Sequence, residues 1–195
     1  MSSSSTSAHA ALILDAVTQN IANLEKLKAH TDDVARAADI MIEALRAGCA
    51  IYFCGNGGSA ADAQHLAAEL SGRFMKNRRP LPGISLTTNS SALTAIGNDF
   101  GYDEVFSRPL DGCGKKGDVL VSLSTSGNSP NVVKAVDVAH KLGMKTISLT
   151  GERESALSAK SDICLKVPSP STPRIQEMHI LIGHILCELA ENAVT

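Results

Sequence analysis

The sequence predicts an α/β protein built on a parallel sheet with helices on both faces, led by two helices. Three observations carry that reading. From residue 50 onward, short β-rich runs alternate with helical patterns, which is how a parallel sheet with crossover helices reads. Residues 8–46 carry two helical patterns and no strand. The 195 residues show no internal repeat and no linker, so they suit one domain with one large core.

The elements follow in order. Residues 1–8 form a Ser-rich polar segment expected to be a disordered tail, with a single domain over 9–195. From Ala8 to Lys28 the apolar residues Leu12, Ile13, Val17, Ile21, Leu24 and Leu27 fall mostly three or four apart, one stripe on a helix. Thr31 and Asp32 look like the N-cap of a second helix ending near Arg46, with Gly48 as its stop. This helical pair, about 9–47, needs a cover for its apolar face: its own sheet or a sister subunit. The strands are expected at Ile51–Cys54, Ile84–Leu86, Val119–Leu123, Thr146–Leu149 and Ile163–Val167. Helices are expected at Ala60–Phe74, Asn131–Leu142, near Ser155–Ala159 and at Arg174–Asn192.

Composition narrows the function. With 20 acidic and 18 basic residues the formal net charge is −2, so no electrostatic footprint for nucleic acid or an anionic membrane is present. Aromatics are 3% with no Trp, which argues against base-stacking surfaces. The longest apolar run, Cys49–Cys54, is far below the ~20 residues of a membrane helix. A Ser-rich start without a positive region, and Asp15 within the following apolar stretch, make a secretory signal unexpected. Five cysteines at 49, 54, 113, 164 and 187 form no CxxC pair, which reads as reduced, mostly buried thiols in a cytoplasmic protein.

In parallel sheets ligands sit at the carboxyl ends of strands, so the loops there are the candidates. The first strand runs into Gly55-Asn56-Gly57-Gly58-Ser59-Ala60 and then a helix. Its glycines allow tight turning and close approach to a ligand, and the helix N-terminus favours an anion. Gly55-x-Gly57-x-x-Ala60 fits a relaxed dinucleotide fingerprint, but the second strand ends in Leu86-Thr87-Thr88-Asn89 without the acid that would bind a ribose. A plain tight turn is the competing reading. The third strand ends in Ser124-Thr125-Ser126-Gly127-Asn128-Ser129-Pro130, with Pro130 suited to a first helical turn. Hydroxyls and backbone N–H groups at a helix mouth suit a monophosphate, and no Gly-Lys-Ser/Thr is present for a triphosphate. A Ser-rich N-cap is the bland alternative.

His65 and Glu69 lie four apart and so share one helix face, where a His and a carboxylate can hold zinc or simply form a surface contact. Gln176 and His184 lie eight apart, a rise of ~12 Å, which is long for two ligands of one ion unless long side chains span it or the helix bends at Gly183.

Several motifs together resemble the sugar isomerase (SIS) domain family and, within it, the phosphoheptose isomerases. They are Cys54-Gly55-Asn56-Gly57-Gly58-Ser59, His65-x-x-x-Glu69-Leu70, Gly97-Asn98-Asp99-Phe100-Gly101-Tyr102, Ser124 through Ser129, and Arg174-Ile175-Gln176-Glu177-x-His179. The resemblance spans about residues 10–192. It implies a flavodoxin-like, three-layer αβα sandwich with a five-stranded parallel sheet. It implies one zinc ion per subunit held by His65, Glu69, Gln176 and His184. It implies aldose–ketose isomerisation between sedoheptulose 7-phosphate and D-glycero-D-manno-heptose 7-phosphate through an enediol, supplying heptose for lipopolysaccharide or capsule. Glu69 is then the base and His184 the acid, types that suit proton transfer near neutral pH. Asn56, Gly57, Gly58, Asn98, Asp99, Glu69 and Gln176 would meet the sugar, although Asn98-Asp99-Phe100-Gly101-Tyr102 also reads as a turn. Ser59, Ser124, Thr125, Ser126 and Ser129 would gather the phosphate. Pro173 stands where some relatives carry Asp. The family pattern is a homotetramer with sites between subunits and the leading helices as a central bundle.

Three alternatives remain beside it: a non-catalytic SIS protein that binds the bacterial replication initiator, a sugar-phosphate sensing module, and an isomerase of another sugar phosphate. Glu69 and His184 favour an enzyme over the first. No helix-turn-helix or basic stretch accompanies the domain to support the second.

Overall fold

Five parallel strands hydrogen-bond in the order β2-β1-β3-β4-β5: β1 (Ile51–Gly55), β2 (Gly83–Ser85), β3 (Val119–Ser124), β4 (Lys145–Gly151) and β5 (Ile163–Val167). The computed structural model describes residues 3–194, with side chains from residue 6. Its helices are α1 (Ser3–Leu27), α2 (Thr31–Arg46), α3 (Gly58–Ser71), α4 (Ser90–Phe100), α5 (Ser107–Cys113), α6 (Pro130–Leu142), α7 (Ala156–Lys160) and α8 (Thr172–Val194). This is the three-layer α/β architecture expected from the sequence.

Strand alternation divides the core in two. Ile51, Phe53, Val121, Leu123, Ile147 and Leu149 pack with α2, α3 and α8 on one face. Tyr52, Cys54 and Leu120 pack with Val132, Val136, Phe106 and Leu110 on the other. The second face of β4 is polar and buried: Ser148 meets Ser122 at 2.6 Å and Ser161 at 2.5 Å. Each hydroxyl there has a partner, which burial requires.

Several boundaries differ from the sequence reading. Helix α1 already begins at Ser3, five residues before Ala8, while residues 1 and 2 of the expected tail lie outside the described residues. Thr31 does not cap α2; a 3-10 turn at Lys28–His30 joins α1 to α2, and Thr31 Oγ1 reaches back to the Lys28 carbonyl. Between β2 and β3 lie α4 and α5, which were not foreseen. Helix α4 has no fully buried residue, although Leu93 and Ile96 pack half-buried against the second face of the core. Of the cysteines, Cys54 and Cys187 are buried, Cys49 and Cys164 half-buried, and Cys113 exposed.

Candidate active site

The order β2-β1-β3 places the chain reversal between β1 and β3, where open α/β sheets bind ligands beyond the strand ends. The two strands run in register, Cys54 beside Ser122 and Gly55 beside Leu123, so their loops leave the sheet side by side.

In the first loop, the Asn56 side-chain amide exchanges two 2.9 Å hydrogen bonds with Asn131 at the start of α6. The Tyr102 hydroxyl donates to Asn56 Oδ1 at 3.2 Å. That bond draws the segment after α4 toward the loop. Asn98 and Asp99 form the last exposed turn of α4 rather than a loop turn, and the Asn98 amide donates to Asp99 Oδ1 at 2.8 Å. Ser59 is buried in the first turn of α3.

In the second loop, Ser124 Oγ lies 3.1 Å from Ser129 Oγ and 3.4 Å from Ser126 Oγ. Ser129 precedes α6 without capping it through its side chain, and Pro130 takes the first helical position. Gly127 has φ +67°, and a Cβ there would run into the Ser155 side chain. Asn128 Oδ1 accepts from the Ala156 N–H at 2.9 Å, and the Gly127 carbonyl accepts from Leu157 N–H at 3.1 Å. Helix α7 therefore braces this loop. A cavity of about 290 Å³ opens here, lined by Thr125, Ser126, Asn128, Arg153 and Ile175 among others.

Helix α8 ties both loops to a third cluster. Ile175 lines the cavity, and the neighbouring Gln176 amide lies over the start of α3, where a Cβ on Gly58 would come within 2.5 Å of its Nε2. Pro173 sits in the first turn of α8, where a missing N–H costs no helical bond. Two turns beyond Gln176, His184 faces α3. Its Nε2 lies 2.8 Å from His65 Nε2, and His65 Nε2 lies 3.1 Å from Glu69 Oε1. One donor atom from each of His65, Glu69 and His184 falls within 4.8 Å of the others. Two imidazoles and a carboxylate converging in this way fit the donor set of zinc. Helix α8 runs as one α-helix through Gly183, and Gly183 supplies close approach, since a Cβ there would sit 2.5 Å from a Leu66 methyl.

Sequence spacing did not reveal the groups around this cluster. The Phe74 ring packs on the His184 imidazole, with centroids 5.6 Å apart. Asp62, one turn before His65, has a buried Oδ2 without a hydrogen-bond partner among the described residues. Burial pushes its carboxyl pKa up, with His65 pulling the other way. Asn131 and Tyr102 hold Asn56 from 75 and 46 residues away, and although Tyr102 ends one of the quoted motifs, no local pattern announces either contact.

Two Ser- and Gly-rich loops leave the sheet side by side at its switch point, and the SIS domain model matches residues 14–151. The phosphoheptose isomerase of Rhodospirillum rubrum is 56% identical over 161 residues, covering 83% of this chain and 86% of the relative. The structure of the phosphoheptose isomerase from Neisseria gonorrhoeae superposes with TM-score 0.86 at 43% identity, covering 96% of this chain and 98% of that one. That of a phosphoheptose isomerase from Francisella tularensis gives 0.83 at 37%, covering 92% and 98%. This chain belongs to the phosphoheptose isomerase family of SIS-domain enzymes. The comparisons do not favour the initiator-binding or other-sugar alternatives.

Proposed function

We propose that this chain interconverts sedoheptulose 7-phosphate and D-glycero-D-manno-heptose 7-phosphate. The observation that carries the reading is the convergence of Glu69, His65 and His184 across α3 and α8, beside two loops able to hold a sugar phosphate.

The hydroxyls of Ser59, Ser124, Thr125, Ser126 and Ser129, with the N-termini of α3 and α6, bind the phosphate. Asn56, Gly57, Gly58, Asn98, Asp99 and Gln176 orient the sugar chain. The Glu69 carboxylate takes a proton from C1 while His184 donates one to the C2 oxygen, giving the enediol. Glu69 then returns its proton to C2, and His184 recovers one from the C1 hydroxyl as the aldehyde forms. The two side chains end as they began, and no co-reactant is needed. His65, Glu69 and His184, with Gln176 as a further donor, would hold zinc, with ligation and proton transfer by Glu69 and His184 taking turns rather than coinciding. When bound, zinc supplies Lewis-acid polarisation of the carbonyl and charge stabilisation.

The working enzyme is read as a cytoplasmic homotetramer of one SIS domain over 9–195, with sites between subunits. The exposed stripe of Leu12, Val17 and Ile21 on α1 supports that assembly, because free monomers rarely leave such a stripe in water. Among the described residues no helix is long and apolar enough to cross a membrane. The product would feed heptose for lipopolysaccharide or capsule.

Proton NMR of the protein with sedoheptulose 7-phosphate tests the reading. New aldoheptose anomeric signals are expected. Their absence with folded, zinc-loaded protein, or faster turnover of a pentose or hexose phosphate, overturns it.

A further inference from the structure

Beneath the cluster lies a buried ion pair that the mechanism does not use. Arg78 and Glu191 side chains are only 3% and 2% exposed, with Nε to Oε1 at 2.8 Å. Glu191 stands seven residues beyond His184 on α8, a turn of about −20° from it, so both share one face of the helix. Its carboxylate accepts the backbone N–H groups of Phe74, Met75 and Lys76 at 3.0, 2.7 and 2.8 Å. Arg78 closes the other side. Its guanidinium donates to the carbonyls of Glu69 at 2.8 Å, Leu70 at 2.9 Å and Gly72 at 3.3 Å. The Glu69 and Leu70 carbonyls belong to the last turn of α3 and Gly72 directly follows it, so none has a partner within the helix, and a cation there also suits the helix dipole.

The pair thus joins three parts of the site. It holds the backbone of Glu69 itself, the end of α3 against α8, and the segment carrying Phe74, whose ring packs on His184. A buried ion pair is a poor source of net stability, because desolvation offsets its attraction. A planar fork that must satisfy several acceptors at once is a good source of fixed geometry. We propose that Arg78 and Glu191 are positioning residues of the isomerase: a clasp that sets Glu69 and His184 opposite each other. This inference rests on the proton-transfer roles given above to those two residues.

The test compares wild type, Arg78→Lys and Glu191→Gln, using histidine-selective NMR of the purified protein alongside kinetics with sedoheptulose 7-phosphate. Lysine keeps the charge but cannot span Glu191 and the Glu69 carbonyl together. Glutamine keeps the shape of Glu191 but turns an N–H group toward backbone donors. Measurements are made at a temperature where circular dichroism shows the variants folded, and each variant serves if the other fails to fold. The expected result is kcat lower by about 10- to 100-fold with KM within about twofold, the size of loss that a small misplacement produces. The His184 imidazole signals should shift with it, because the Phe74 ring moves. A folded variant of either residue that retains wild-type kcat, or loses kcat with the His184 signals unmoved, overturns the proposal. Should wild type fail to turn over this substrate, the isomerase reading falls, and unmoved His184 signals would then reject the clasp on their own.

Discussion

His65 and His184 stand 119 residues apart in sequence, and their Nε2 atoms are 2.8 Å apart in space. Two helices on the same face of the sheet, α3 and α8, make that meeting possible. Leu66 and Gly183, each next to one of the histidines, meet at the point of closest approach.

Gly183→Ala tests that approach. In an exposed helix interior the change would raise stability by about 1 kcal/mol. Here the new methyl collides with both methyls of Leu66, which is 1% exposed and has little room to turn. Overpacking of this kind costs about 1–3 kcal/mol, so the variant should be less stable than wild type by urea denaturation. Equal or greater stability would show that α8 does not depend on Gly183 for its seat.

His179 gives the fold a pH dependence of known sign. It is fully buried on α8, its Nε2 lies 3.2 Å from the Thr150 carbonyl, and its Nδ1 has no partner among the described residues. Burial pushes its pKa down to about 4, against a smaller upward pull from the hydrogen bond to Thr150. As pH falls below the unfolded value of about 6.5, the unfolded chain takes up a proton that the folded chain refuses. Stability should therefore decline from about pH 6.5 toward pH 4, by up to roughly 3 kcal/mol over the window. His179→Gln should remove that slope in thermal melts across pH, and an unchanged slope would assign it to other groups.

Glu191 makes a separate acid limb. Burial raises its carboxyl pKa, but the N–H groups of Met75, Lys76 and Phe74, and Arg78, outweigh that and leave it below the usual value. Its stabilisation is complete above the unfolded pKa of about 4.3 and is lost as pH falls through the lower folded value. Glu191→Gln should flatten the stability profile below about pH 4.3 while leaving the His179 limb above it unchanged. A wild-type acid limb in that variant would remove Glu191 as its source.

The stripe on α1 predicts an assembly. Leu12, Ile13 and Leu14 are 65–69% exposed, and Ile21 is 55% exposed. Changing Ile13 and Ile21 together to Asp should lower the particle mass by sedimentation and reduce activity with it. A mass that stays at the wild-type value would free this helix from any interface role.

Much of the fold was legible because its signals are local. Ile163–Val167 was placed to the residue, and Pro130 and Ser155 marked the starts of α6 and α7. Helix α4 escaped because it is only 11 residues long and its large apolar residues before Phe100 are just Leu93 and Ile96, set among Ser, Thr, Ala and Gly. In the site, His65 and Glu69 were readable from a four-residue spacing on one helix. The approach of His184 was not, since it depends on how α8 crosses α3. Arg78 and Glu191 left no trace at all: Arg78 sits among Arg73, Lys76 and Arg79, and Glu191 follows Glu188, so both look like ordinary surface charges.

The proposed isomerisation turns on Glu69 carrying the proton between C1 and C2. Its most direct test is the turnover of sedoheptulose 7-phosphate by Glu69→Gln beside His184→Ala and wild type, each with its zinc content measured. Folded Glu69→Gln is expected to be slower by about 10² or more, the loss that follows when a positioned base is removed. Glu69→Gln turning over within about tenfold of wild type would contradict it.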